Sequence, residues 1–305
     1  MPREANLAGS RPARAGFFGA RRAGLWTAAL AVFGFALLFA PSAVAAQATP
    51  ALPRAEQIIQ KALARAKWAD EQKLDAQYTY MQRGTLEELD SHENVKRHEE
   101  RLSQVLPIDG QPYARLVQKD GRPLTEKEVR AERDREQKFR QNLAEKRRKR
   151  AEGKRNENDI EINEELTSRY NFQVTGREAV NGRPAFLLAF EPRSPDLPVK
   201  RKLDRLFNKL AGRVWIDEGD YEIARLDVHL AENVSAWGGM LATVRKFFVR
   251  MEQCKVDEVA WFPASVDGYI DGRILIKALH VKIQQENSGF RRMDAGTSQP
   301  TAGRE

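Results

Sequence analysis

Along residues 53–68 the apolar side chains Ala55, Ile58, Ile59, Ala62, Leu63 and Ala66 recur every three or four positions, which gathers them on one face of a helix. The period then drops to two. Tyr78 and Tyr80 alternate with Gln77 and Thr79, and short runs at 95–101, 102–106 and 113–117 follow, with turn signals at Asp109-Gly110 and Asp120-Gly121. Residues 124–155 interrupt this with nearly continuous charge, leaving Val129, Phe139 and Leu143 almost alone as large apolar side chains. Thr125 followed by Glu128 has the spacing of a helix capping box. Glu126 with Arg130, Glu136 with Arg140, and Glu145 with Lys149 are helical pairs four residues apart, so a long solvated helix is predicted here.

After the insertion, alternation returns at Tyr170, Phe172 and Val174. A turn at Asn181-Gly182 leads into residues 185–190, apolar enough to be covered on both faces. A short helix is expected over 200–210. Strands are expected at 212–216, 221–230, 246–256, from Trp261 onward, and at 272–283 as the last, with a loose polar tail from Asn287. Many strands joined by short turns imply antiparallel pairing. The predicted class is α+β.

The N-terminus changes where such a domain works. Arg3, Arg11, Arg14, Arg21 and Arg22 precede an apolar run at 25–40, followed by Pro41 and the small residues of Ala43-Val44-Ala45. That order predicts a secretory signal over 1–45, cut between Ala45 and Ala46. The alternative is an N-terminal inner-membrane anchor, although the run falls short of the ~20 residues a spanning helix needs. Removing the segment takes away five arginines and one glutamate, lowering the formal charge from +8 to +4. A mildly basic exported chain is not a nucleic-acid binder. Its one cysteine, Cys254, excludes an internal disulfide.

Chemistry is sparse. His92, His98, His229 and His280 lack metal-ligand spacing, and there is no nucleophile elbow, phosphate loop or cysteine pair. Cys254 sits within a strand pattern and reads as core or wall. Asp217 and Asp220 flank Gly219 as an ordinary hairpin turn would, rather than as a calcium site. No catalytic residue, metal or cofactor is predicted. The tract Lys146, Arg147, Arg148, Lys149 and Arg150 is either a solvated helix face or a contact for lipid phosphates or an acidic envelope partner.

The segment Gly176-Arg177-Glu178-Ala179-Val180-Asn181-Gly182-Arg183-Pro184-Ala185-Phe186 with Phe190-Glu191-Pro192, and then Gly212-Arg213-Val214-Trp215-Ile216-Asp217 with Tyr221-Glu222-Ile223-Ala224-Arg225, resembles the outer-membrane lipoprotein-sorting superfamily. The resemblance spans about residues 55–285. It implies a strongly curved antiparallel half-barrel closed by helices around an apolar cavity, in a single domain over 46–286 that carries the charged helical insertion at 124–157. The tail would be 287–305. It further implies a carrier for lipid or for the acyl chains of a lipid-modified protein, or an envelope regulator that uses the fold as a docking or stress-sensing surface. The charged insertion departs from the typical carrier, and no cavity residue of the family maps to a numbered position. Alternation alone nominates Phe172, Val174, Val214, Ile216, Phe247, Val249 and Met251 as cavity wall, with the inward face left open.

Overall fold

The computed structural model describes residues 51–153, 162–194, 196–201, 203–236, 242–274 and 277–293. The signal segment, its cut site and residues 154–157 of the insertion lie outside them.

Among the described residues, twelve strands form one antiparallel sheet. They are β1 (Tyr78–Leu89), β2 (Val95–Ile108), β3 (Gln111–Lys119), β4 (Arg122–Pro123), β5 (Tyr170–Val180), β6 (Arg183–Pro192), β7 (Leu210–Asp217), β8 (Ile223–Leu230), β9 (Val234–Ala236), β10 (Ala242–Val256), β11 (Ala260–Ile274) and β12 (Lys277–Arg292). The spatial order is β4-β3-β2-β1-β12-β11-β10-β8-β7-β6-β5, with β9 also on β10. β4 and β5 do not meet, so the half-barrel stays open.

Local chemistry explains the connections. Asp109-Gly110, Asp120-Gly121 and Asn181-Gly182 each place two successive residues at positive φ, the backbone of a two-residue hairpin turn. Between β7 and β8 the buried Asp217 carboxylate accepts the Gly219 and Asp220 N–H groups and pairs with Arg183 at 2.8 Å, which makes this segment a turn. Glycine also permits tight coiling. A Cβ on Gly212 would lie 2.0 Å from the Asp227 carbonyl oxygen, and one on Gly272 would lie 2.4 Å from that of Thr243.

Two long helices lie on the same face of the sheet. Helix α1 (Ala55–Glu71) buries Ala55 and Ile58 against Phe186, Leu188, Val214 and Ile216. The chain after it sets Leu74 against the cluster of Tyr78, Ala260 and Phe262, which Tyr80 also joins. Gly84 and Leu86 share the alternation of Tyr80 along β1 and border the groove beneath α2 (Glu126–Ala151). The opposite, outer face carries ion pairs, including Asp227 with Arg225 and Arg250, and Asp271 with Arg245. It also carries a small apolar cluster around Trp215, over whose ring the Arg213 and Arg225 guanidinium groups lie.

Several boundaries differ from the sequence reading. The predicted pair of runs at 95–101 and 102–106 is one strand, β2. Residues 272–283 are not one strand but the end of β11 and the start of β12, paired antiparallel, although the sequence from 273 to 283 carries no Gly, Pro, Asn or Asp. Nor does a loose tail begin at Asn287. Asn287 is buried and donates to the Pro263 carbonyl, Phe290 packs on Tyr80 and Phe262, and β12 pairs with β1 as far as Arg292. The helix expected over 200–210 contracts to α4 (Asp204–Phe207).

Candidate functional site

Between α1 and the inner face lies an apolar hollow of about 340 Å³, within the ~300–1,000 Å³ span of ligand sites. Its roof is Ile59, Ala62 and Ala66 of α1, and its floor runs from Phe172 and Phe190 across Val214, Ile216 and Leu226 to Met251. One end is bordered by Ile162, by Leu166 of α3 (Glu164–Thr167) and by Phe207 of α4. The buried Asp204 carboxylate fixes that end: it accepts the Lys200 and Arg201 N–H groups and pairs with Arg169 at 3.0 Å. Burial pushes its pKa upward, but these donors prevail and hold it below the ordinary carboxylate range.

Polar groups are few in the hollow. Glu222 and Gln253 stand at its border, and Glu222 is held by Arg65 of α1 at 2.9 Å. Burial raises the Glu222 pKa, opposed by Arg65. Lys61 adds a second tie from α1, donating to the Tyr221 hydroxyl at 3.0 Å. Arg65 and Lys61 thus pin the helix to the segment between β7 and β8 while its apolar side roofs the space.

Of the residues nominated by alternation, Phe172, Val214, Ile216 and Met251 line the hollow. Val174 packs against the adjoining core around Ile58. Phe247 and Val249 share the inner face with Met251 but lie farther along β10, opposite Ile270 and Gly268, beyond the hollow. The roof residues carried a signal in the helical period of 53–68, and Leu226 and Val228 alternate in β8. Ile162 and Leu166 carried none, being two apolar positions beside a polar segment.

The inner face continues past the hollow as an apolar strip through Val249, Ile270, Val281 and Ile283, the last 43% exposed. It reaches a second recess of about 420 Å³ beneath α2, bordered by Leu86, Leu116 and Ala131 and by the charged Glu99, Arg101, Glu132 and Arg135. Those charges neutralise one another: Glu99 pairs with Arg97 and Arg101, and Glu132 with Arg135. Farther along α2, Lys146, Arg147, Arg148, Lys149 and Arg150 are exposed. Arg147 donates to the Asp109 carbonyl, and Lys149 pairs with Glu145 at 2.7 Å.

Among the described residues no cluster of His, Cys, Asp and Glu is arranged to hold a metal ion. Cys254 is half-buried, and burial raises its pKa, which keeps it a thiol. No described helix is long and apolar enough to cross a membrane.

No family model and no curated protein matches the chain. Among solved structures it is similar to a domain described as an outer-membrane lipoprotein-sorting protein from Vibrio parahaemolyticus, at 11% identity and TM-score 0.34, covering 79% of this chain and 95% of that one. A DUF1329-family protein from Desulfovibrio piger is similar at 11% identity and TM-score 0.29, covering 81% and 96%. A LolA-superfamily protein from Nitrosomonas europaea is similar at 12% identity and TM-score 0.25, covering 80% and 95%.

Proposed function

We propose that this protein is a binding protein of the cell envelope that takes up acyl chains, those of a lipid or of a lipid-modified polypeptide, without covalent chemistry. The supporting observation is the hollow itself, a space of about 340 Å³ walled by aliphatic and aromatic side chains, with Glu222 and Gln253 among its few polar borders. Transfer of each acyl methylene out of water into such a wall favours binding by ~0.8 kcal/mol. The export signal over residues 1–45, a domain running from residue 46 through the end of β12 at Arg292, and the inner-face residues Phe172, Val214, Ile216 and Met251 belong to this reading.

The test is direct. Native mass spectrometry of protein purified gently from the periplasm, with organic extraction, is expected to return bound lipid or acylated peptide. A fluorescent acyl probe should bind the empty protein, and Ala66→Trp, which projects an indole from the roof into the space, should weaken it at least ~10-fold, since a filled cavity loses the methylene burial that drives uptake. Protein that is empty and blind to the probe sinks the reading. It would give first place to an envelope docking role on the exposed basic tract of α2.

A further inference from the structure

The two edges of the sheet are treated differently. On the β3 side, α2 supplies side chains to the strand's backbone. Glu132 accepts the Leu116 N–H at 3.2 Å, Arg135 donates to the Ala114 carbonyl, and Arg147 donates to the Asp109 carbonyl at the hairpin. The short strand β4 pairs with Gln118 and Lys119. That edge is capped along most of its length. On the other side β5 is the terminal strand: among the described residues it pairs with β6 alone, and no side-chain bond comparable to those from α2 reaches its outward backbone.

A long bare edge is a template for another strand. β5 runs for eleven residues without proline. A bulge between Val174 and Gly176, then Arg177 and Glu178, disturbs its second half, which leaves residues 170–174 as the pairing frame. Five residues are about 17 Å, the length of an ordinary strand. Its two faces differ: Asn171 and Gln173 are exposed on the outer face, whereas Tyr170 and Phe172 turn inward into an aromatic group with Phe190, at centroid distances of 5.4 to 6.2 Å. Tyr170, Phe172 and Phe190 also line the apolar hollow.

We propose that residues 170–174 of β5 are a strand-addition site for an extended segment of a partner polypeptide that carries apolar residues at alternate positions and polar residues between. The added strand's backbone would satisfy the outward N–H and C=O groups of β5. Its apolar side chains would lie beside Phe172 and prolong the inner wall, while its polar ones would face solvent beside Asn171 and Gln173. The alternation required of the partner is that of β5 itself, because paired residues in an antiparallel ladder share a face. This site does not rest on the acyl reading, since its recognition elements are the backbone groups of β5 and the two faces of that strand's own alternation.

Hydrogen–deuterium exchange read by mass spectrometry tests the proposal on the purified full chain. The probe is a synthetic seven-residue peptide of alternating valine and threonine with a terminal lysine for solubility. It should slow exchange across residues 170–174 at least ~10-fold at saturation, as newly bonded edge amides do. A peptide of the same composition with its valines in one block should give no protection. Two further versions, N-methylated on alternate residues in the two opposite phases, separate edge pairing from hydrophobic sticking: one phase removes the N–H groups that face β5 and should abolish protection, and the other should leave it intact. Equal protection by the block peptide, indifference to methylation phase, or no protection at β5 overturns the proposal. So does protection of β5 that rises with protein concentration in the absence of peptide, which would show a second copy of this chain covering the edge.

Discussion

Asp204 shows how one side chain holds a region of the site. Its carboxylate, fully buried, gathers two backbone N–H groups and the Arg169 and Arg201 side chains at 2.9 to 3.1 Å, and so fixes the loop that presents Phe207 to the hollow. Asp204→Asn is expected to lose ~3 kcal/mol, the usual scale for leaving a buried cation without its partner; chemical denaturation measures it. The pH dependence follows from the sign of the shift. A carboxylate whose folded pKa lies below its unfolded value adds stability that is complete above the unfolded pKa, near 3.8, and is lost as pH falls through the folded one. The acid limb of the stability curve should therefore be shallower in the variant. Nothing in the sequence marked this residue. Its partners come from positions 169, 200 and 201, and an aspartate at the start of a four-residue helix looks like any other until the loop closes around it.

Among the elements, α2 was the most legible. Its Thr125 and Glu128 capping box and its pairs Glu126 with Arg130, Glu136 with Arg140 and Glu145 with Lys149 all form as the local spacing dictates, because a helix brings residues three and four apart together whatever surrounds it. Period-two alternation likewise revealed most strands. It failed where partners decide: residues 272–283 look continuous, yet they divide between β11 and β12, and β12 persists to Arg292 because β1 and the Phe262 cluster hold it. What local spacing did not reveal is that α2 serves the edge of the sheet. Its Glu132 accepts from both the Leu116 N–H and the Tyr113 hydroxyl. Burial, followed by the Glu132 carboxylate, holds the Tyr113 phenol above its ordinary range. Glu132→Ala should lower the Tyr113 pKa, seen by ultraviolet titration. It should also speed Leu116 amide exchange, at a stability loss of ~1–2 kcal/mol for a lost charged hydrogen bond.

On the scale of the whole molecule, the hollow beneath α1 and the basic end of α2 are on separate elements, and their roles separate by experiment. Replacing Lys146, Arg147, Arg148, Lys149 and Arg150 with glutamine should leave acyl-probe affinity within about two-fold, since sites without shared partners act additively; capture of an acidic envelope partner, if that is the tract's use, should fail in the same protein. The order of the strands has a different consequence. β1 to β4 form one meander and β5 to β11 another, and β12 is the strand that pairs with both, Tyr78 with Arg292 and Ser265 with Glu286. β12 is thus the strand that fuses the halves, and the inner face spanning them is complete only when it is in place. A chain ending at residue 276 should yield two protease-sensitive fragments where the full chain resists limited proteolysis. The continuity of the sheet therefore rests on two seams of one strand, one against β1 and one against β11, and a break in either would part the apolar hollow from the recess beneath α2.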